Sequence, residues 1–136
     1  MSKQKVLFLC THNSARSQLG EALLRHFYGD RYEAYSAGVE PGSLNPYVVM
    51  VMEEMDVDMS SHRAKSADEF KDAELDHIVT VCDNANEICP FFAGGKNYFH
   101  ESFPDPSTFT GRDEEILARV RYVRDEIKAW IDKNFG

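Results

Sequence analysis

An apolar run ends in a cysteine within the stretch VLFLCTHNSARSQ, residues 6–18. A continuous run such as VLFL is typical of a strand that is buried on both faces of a parallel sheet. From Ser17 onward, apolar and aromatic side chains recur with a helical period at positions 19, 22, 23, 26 and 27. We therefore predict that Cys10 ends a buried strand, that a helix starts near Ser17, and that His26 packs in the core. Cys10 could equally be a core residue, because free cysteine is among the most buried residue types.

The remaining chain alternates strand and helix patterns. Further strands are predicted at YEAYSAG (32–38), DHIVTVC (76–82) and KNYFH (96–100). Helices are predicted after the capping residue Asn45, shortly before residue 70, and from near Gly111 onward, whereas the prolines of ESFPDPSTFTG (101–111) predict a loop. This alternation predicts a parallel α/β sheet with helices on both faces. Ligands of such sheets bind beyond the carboxyl ends of the strands, where both Cys10 and Cys82 are expected.

Composition narrows the classes of protein. A chain of 136 residues with 43% hydrophobic content is enough for one domain, residues 1–136. The net charge of −8 argues against a nucleic-acid surface. The N-terminus has no long apolar segment, so we expect neither a signal peptide nor a membrane span, and a cytoplasmic protein. In that compartment the three cysteines, Cys10, Cys82 and Cys89, indicate catalysis, metal binding or redox exchange more than a disulfide scaffold.

The turn after the first predicted strand has the features of an oxyanion-binding loop. Its backbone N–H groups can form a concave nest, and the following helix adds its positive end. Arg16 supplies a planar fork that matches two oxygens of a tetrahedral anion, and a serine hydroxyl, Ser14 or Ser17, can donate to the Cys10 thiolate. Asn13 suits a left-handed position and could lock the loop through its amide. The predicted loop consists of Thr11, His12, Asn13, Ser14, Ala15, Arg16 and Ser17.

These residues resemble the low-molecular-weight phosphotyrosine phosphatase superfamily, whose anion loop is Cys-x5-Arg-Ser after the first strand. Within it the chain is more similar to the arsenate reductases of that fold. The resemblance extends over YSAGVEPGSLNP, DMSSH, VTVCDNANEICP, FPDPS and RVRYVRDEIKAWI. Gln18 replaces the proline that usually follows Arg-Ser in the phosphatases. The resemblance implies a three-layer α/β/α fold with a four-stranded parallel sheet of order 2-1-3-4.

The resemblance also implies a reaction and its residues. Arsenate would be reduced to arsenite, an arsenic detoxification, with Cys10 as nucleophile, Arg16 binding the oxyanion and Asp105 as general acid. Cys82 and then Cys89 would act as resolving thiols, ending in a Cys82–Cys89 disulfide. No cofactor would be bound. Electrons would come from thioredoxin, although glutaredoxin or a small thiol remains possible, and we expect a monomer without nucleic-acid or membrane partners.

Several positions depart from the family pattern. His12 and Ala15 stand where the reductases often have glycine and cysteine, and DPS replaces the usual Asp-Pro-Ala. Some relatives bind a monovalent cation through Asn, Glu, Ser and Asp. Here Asn13, Glu21 and Ser36 match, but Lys65 replaces the aspartate. We therefore predict no required potassium ion and no metal, since the spacing of Cys82 and Cys89 is also unlike that of zinc ligands.

Two other functions and one conformational change remain open. A phosphatase would use Cys10, Arg16 and Asp105 in the same way, so weak phosphatase side activity is expected under either function. A flavodoxin-like binding module would not need the cysteine and arginine. If residues 83–88 are helical, the Cα atoms of Cys82 and Cys89 lie about 10 Å apart, whereas a disulfide needs roughly 4.4–6.8 Å. We therefore predict that this segment unwinds when the disulfide forms.

Overall fold

The computed structural model describes residues 3–82 and 92–136. The strands are β1 (Gln4–Cys10), β2 (Tyr32–Gly38), β3 (Leu75–Thr80) and β4 (Gly95–His100). The α-helices are α1 (Arg16–Tyr28), α2 (Pro46–Glu53) and α3 (Asp113–Phe135), and short 3₁₀ helices occupy Ala67–Phe70 and Pro106–Thr108. Asn45 caps α2 by accepting from the Tyr47 backbone N–H, with Pro46 in the first helical position, as predicted.

The four strands form a parallel sheet in the order β2-β1-β3-β4, which confirms the predicted topology. Cys10 pairs with Gly38 of β2, and Leu9 pairs with Thr80 of β3. The chain leaves β1 toward one neighbour and later returns on the other side, so the loops after β1 and β3 diverge. This divergence creates a crevice at the carboxyl end of β1.

The side chains of β1 alternate between two apolar clusters. Val6, Phe8 and Cys10 face the cluster formed with the three α-helices. Leu7 and Leu9 face the opposite cluster, against which the partly buried Phe70 packs. Burial on both faces explains why β1 has a continuous apolar run. Within the described residues, no helix is both long and apolar enough to cross a membrane.

Three local predictions need correction. β3 ends at Thr80, so Cys82 lies two residues beyond the strand rather than at its last position. Pro106 starts a short 3₁₀ helix inside the predicted loop, because its fixed φ suits a first helical position and Asp105 caps it. His26 is exposed, since the buried part of α1 ends at Leu24 and the last turn faces solvent. Periodicity alone does not reveal where a helix leaves the core.

His77 of β3 is expected to weaken the fold in acid. Its Nε2 lies 3.0 Å from Gln4 Oε1, whereas its buried Nδ1 has no hydrogen-bond partner within residues 3–82 and 92–136. Burial lowers the pKa of His77, opposed by Asp76, so the imidazole is neutral in the fold at pH 7. Because the unfolded chain binds this proton more readily, stability is lost as the pH falls below about 6.5.

His77→Phe should therefore flatten the acid side of the stability curve. Phenylalanine keeps the edge contacts with Phe99 and Phe135 and removes the proton-binding nitrogen. Urea denaturation at pH 7.5 and pH 5 measures the change, with the two proteins within about 1 kcal/mol of each other at pH 7.5. Equal losses of stability in both proteins between these pH values would contradict the prediction.

Candidate active site

The Cys10 thiol is buried at the end of β1, with 2% of the residue exposed. The Asn13 backbone N–H donates to Sγ at 3.2 Å, and Ser17 Oγ lies 2.9 Å from Sγ. Cys10 is a free cysteine. Of the two serines that the sequence left open, Ser17 is the one whose hydroxyl reaches the sulfur. These contacts favour a negative charge on the sulfur, because hydrogen bonds to a thiolate stabilise it.

The segment after β2 binds the backbone carbonyls of the anion loop. The N–H groups of Glu40, Gly42 and Asn45 bind the carbonyls of Thr11, His12 and Ser14, at 2.9, 3.0 and 2.9 Å respectively. In a trans peptide the next N–H points opposite to its carbonyl. Tethering the carbonyls on one side therefore turns the intervening amides toward the other side, where an oxyanion would bind. A nest of backbone N–H groups, as predicted from the sequence, requires carbonyls that are turned away in this manner.

Asn13 holds the left-handed position that the sequence predicts, with φ of 52°. Its side chain is fully buried and locks the loop. Nδ2 donates to Ser17 Oγ at 2.7 Å, and Oδ1 accepts from the Lys65 backbone N–H at 2.8 Å. Asparagine tolerates this backbone conformation better than most residues, and the two side-chain contacts offset its remaining cost.

Arg16 joins the anion loop to the loop that carries Asp105. Its guanidinium is buried, with Nη1 donating to the Phe103 carbonyl at 3.4 Å and Nη2 lying 3.5 Å from Asp105 Oδ2. Asp105 Oδ1 accepts from the backbone N–H and the hydroxyl of Ser107, which leaves Oδ2 directed to the arginine. Arg16, the predicted anion-binding residue, and Asp105, the predicted acid, are about 90 residues apart in sequence. They are adjacent in the structure.

Cys82 lies beside the same crevice. The chain after β3 continues along β1, since the Val81 N–H donates to the Leu9 carbonyl at 3.0 Å. Cys82 follows directly, is fully buried and is disulfide-bonded. The prediction that the ends of β1 and β3 bring Cys10 and Cys82 to one crevice therefore agrees with the sheet order. Cys89 and the predicted unwinding of residues 83–88 lie outside the described residues.

The two departures inside the loop have structural roles. His12 Nδ1 lies 2.9 Å from the Glu40 carbonyl, which can only accept, so Nδ1 carries the proton and ties the loop to the segment after β2. Ala15 is buried among the apolar residues beneath the loop, where a small side chain suffices. Neither role requires the glycine or cysteine that relatives often have there.

Gly38 is a site residue that the sequence reasoning missed. A Cβ atom on Gly38 would lie 2.6 Å from the Thr11 carbonyl oxygen and 2.8 Å from the Asn13 nitrogen. These are backbone atoms of the anion loop and cannot move aside without moving the nest. The sequence did contain one signal: Gly38 ends β2, the strand that pairs with the end of β1, where Cys10 lies.

Gly38→Ala is therefore expected to damage the loop more than the fold. We expect a loss of at least about tenfold in kcat/KM, because small displacements of reacting groups are costly. Overpacking should cost roughly 1–3 kcal/mol of stability. Gly42→Ala is the matched control, since its Cβ would meet only the His12 Cβ at an ordinary 3.7 Å. Equal activity of the two variants would show that the close approach at Gly38 does not matter.

The cation-binding set of some relatives does not fit a monovalent cation in this chain. Glu21 is buried, and its carboxylate contacts the Ser36 hydroxyl and lies 3.6 Å from Lys65 Nζ. The ammonium is also 3.4 Å from Ser36 Oγ. Burial lowers the pKa of Lys65, and Glu21 opposes this shift. The lysine side chain thus places its own charge among the residues that would otherwise surround a cation.

Potassium is accordingly expected to leave turnover unchanged. Replacing KCl by NaCl or choline chloride at constant ionic strength should alter kcat and KM by less than about twofold, because no ligand set is available to tell these ions apart. Steady-state rates in the three salts measure this. A rate that rises selectively with potassium would contradict it.

Among the described residues, no group of three or more His, Cys, Asp or Glu side chains could hold a metal ion.

Known proteins share this fold. The family model for low molecular weight phosphotyrosine protein phosphatase matches residues 5–133. An arsenate reductase of Halalkalibacterium halodurans is 39% identical over 127 residues, covering 93% of this chain and 91% of the relative. A solved arsenate reductase in a phosphate-binding state superposes with a TM-score of 0.79 at 24% identity, covering 96% of this chain and 95% of that one.

A thioredoxin-dependent arsenate reductase of Corynebacterium glutamicum has a TM-score of 0.65 and 28% identity to this chain. It covers 96% of this chain, which spans 62% of that protein. The matched family model extends over almost the whole sequence. The chain belongs to the low molecular weight phosphotyrosine protein phosphatase family, and within it groups with arsenate reductases.

Proposed function

We propose that this protein reduces arsenate to arsenite through a relay of Cys10, Cys82 and Cys89. The observation that carries the proposal is that a second buried cysteine, Cys82, follows the strand next to β1, at whose end the Cys10 sulfur accepts hydrogen bonds. A phosphatase needs the first cysteine alone. The curated arsenate reductases at 35–39% identity support the reductase.

In the first step the Cys10 thiolate attacks the arsenic atom of bound arsenate. The oxyanion is held by the loop amides and by Arg16, whose guanidinium can exchange its contact with Asp105 for arsenate oxygens. One arsenate oxygen leaves as water, and Asp105, which lies beside Arg16, would supply its proton. The product of this step is a Cys10–S–As(V) adduct.

The second step moves two electrons to arsenic. The Cys82 thiolate attacks Cys10 Sγ, the S–As bond breaks, and its electron pair stays on arsenic, which leaves as arsenite. A Cys10–Cys82 disulfide results. Cys89 then attacks Cys82, which frees Cys10 and leaves a Cys82–Cys89 disulfide. A disulfide-bonded Cys82 beside a free Cys10 is the arrangement that the end of this relay requires.

An external dithiol must return the protein to its reduced form. Thioredoxin is the favoured donor, because the relay ends in a protein disulfide and one structural relative is described as thioredoxin-dependent. No bound cofactor enters this scheme. Together these steps make the protein an enzyme of arsenic detoxification.

A coupled assay tests the proposed function. Purified protein with thioredoxin, thioredoxin reductase and NADPH should oxidise NADPH only when arsenate is added. Replacing thioredoxin by glutaredoxin with glutathione should give a much lower rate. Absence of arsenate-dependent oxidation with either donor, together with rapid hydrolysis of a phosphate monoester, would favour the phosphatase that shares Cys10, Arg16 and Asp105.

A further inference from the structure

Gln18 is fully buried on the first turn of α1, although its side chain is polar. Its Nε2 lies 3.1 Å from the Asn13 carbonyl, 3.0 Å from Asn13 Oδ1 and 2.8 Å from the Arg63 carbonyl. The two backbone carbonyls can only accept, so the NH₂ end of the amide must face them. These two carbonyls therefore fix which end of the Gln18 amide is the NH₂ group.

The other end of the Gln18 amide faces His62. Gln18 Oε1 lies 2.9 Å from His62 Nδ1, and an amide oxygen can only accept. His62 Nδ1 therefore carries a proton and donates it to Gln18. The His62 side chain is 5% exposed, and its contact with Gln18 is direct. The imidazole ring thus holds the carbonyl end of the Gln18 amide.

Charged groups surround the His62 ring. Burial lowers the pKa of His62, while Glu21 and Asp58 raise it and Arg25 and Lys65 lower it further. Both the neutral Nδ1–H form and the imidazolium donate from Nδ1. The contact with Gln18 therefore persists across the pH range in which His62 titrates.

The hydrogen bonds beyond Gln18 point in one direction, toward the sulfur. Gln18 donates to Asn13, the Asn13 amide side chain donates to Ser17 Oγ, and the Asn13 backbone N–H donates to Cys10 Sγ. Because Ser17 Oγ already accepts from Asn13, its own proton is available for the sulfur at 2.9 Å. Two donors thus converge on Sγ, and both depend on the position of Asn13.

We propose that Gln18 is a positioning residue whose amide, oriented by His62, holds Asn13 so that two hydrogen bonds reach the Cys10 thiolate. The inference rests on the proposed function only in taking Cys10 as the nucleophile. It gives a physical role to the residue that replaces the proline of the phosphatases, since proline offers no amide to bind Asn13.

Alkylation of reduced protein by iodoacetamide tests the proposal without arsenate. Peptide mass spectrometry follows Cys10 separately from the other two cysteines. In Gln18→Met, which keeps the side-chain volume, the half-maximal pH of Cys10 alkylation should rise by about one unit. Alkylation at pH 7 should slow by up to about tenfold, since less thiolate is present. Arg124→Met, in which a buried arginine loses its hydrogen bonds to Val51 and Glu54, neither of them a loop residue, should leave the profile unchanged.

Two His62 variants separate positioning from a general loss of structure. His62→Asn keeps a donor near the place of Nδ1, and His62→Leu removes it with similar bulk. We expect the Leu variant to shift the alkylation profile in the direction of Gln18→Met and the Asn variant to stay near the native profile. Unchanged profiles in both Gln18→Met and His62→Leu would overturn the inference. If both shift while the native protein does not reduce arsenate, the proposed reaction fails and the positioning role stands.

Discussion

Cys82→Ser is expected to lower steady-state arsenate reduction by roughly 10³-fold or more, because removal of an attacking group leaves little residual turnover. Serine is nearly isosteric with cysteine at this fully buried position, but its hydroxyl does not attack a sulfur–arsenic adduct. The variant should still bind arsenate at the anion loop, since Asn13, Arg16 and Ser17 are unchanged. Arsenite formation in the thioredoxin-coupled assay measures the loss.

The activities that Cys82→Ser retains identify which step of the reaction has failed. Arsenate should still protect Cys10 of the Cys82→Ser protein from alkylation, and hydrolysis of p-nitrophenyl phosphate should be within about twofold of the native rate, because that reaction needs no second thiol. Cys10→Ser is the matched control and should lose both activities. Full arsenate reduction by Cys82→Ser would exclude the relay and leave a single-thiol mechanism.

Arg16→Lys should lower kcat/KM for arsenate by about 10²–10³-fold, comparable to removal of one transition-state donor. The guanidinium binds the Phe103 carbonyl and Asp105 from one planar group. An ammonium keeps the charge but cannot present two parallel donors to an oxyanion. The loss should appear in kcat as well as KM, because charge on the arsenate oxygens changes during the attack.

Arg121→Lys provides the control for this substitution. Arg121 makes a two-pronged pair with Glu54, at 2.8 and 2.7 Å, on the exposed surface of α3. Its replacement should leave kcat/KM unchanged and alter stability little, because exposed ion pairs contribute little to stability. Similar losses of activity in the two variants would mean that Arg16 contributes no more than a surface arginine.

The architecture was largely predictable because its signals are local. The apolar run before Cys10 and the alternation of strands and helices indicate a parallel sheet, and the structure has that sheet, in the strand order that the family resemblance implies. The anion loop was predictable for the same reason, since cysteine, asparagine and arginine lie within seven consecutive residues. Asn13 adopts the predicted left-handed conformation.

Contacts between distant segments were not predictable from one sequence. Nothing local to Gly38 shows that the Thr11 carbonyl passes within 2.6 Å of where a Cβ would be. The contact of His62 with Gln18 joins positions 44 residues apart. The end of β3 two residues before Cys82 depends on its pairing with β1 and β4, which apolar composition does not encode. The prediction that His26 packs in the core was wrong for a related reason, because the packing partners of α1 decide which of its turns is buried.

A single turnover without reductant tests the cysteine relay most directly. Fully reduced protein, with its three titratable thiols, is mixed with excess arsenate under anaerobic conditions, and arsenite, free thiols and disulfide-linked peptides are then measured. The relay predicts one arsenite per chain, the loss of two thiols, a peptide cross-link between Cys82 and Cys89, and a free Cys10. No arsenite and three remaining thiols would contradict it.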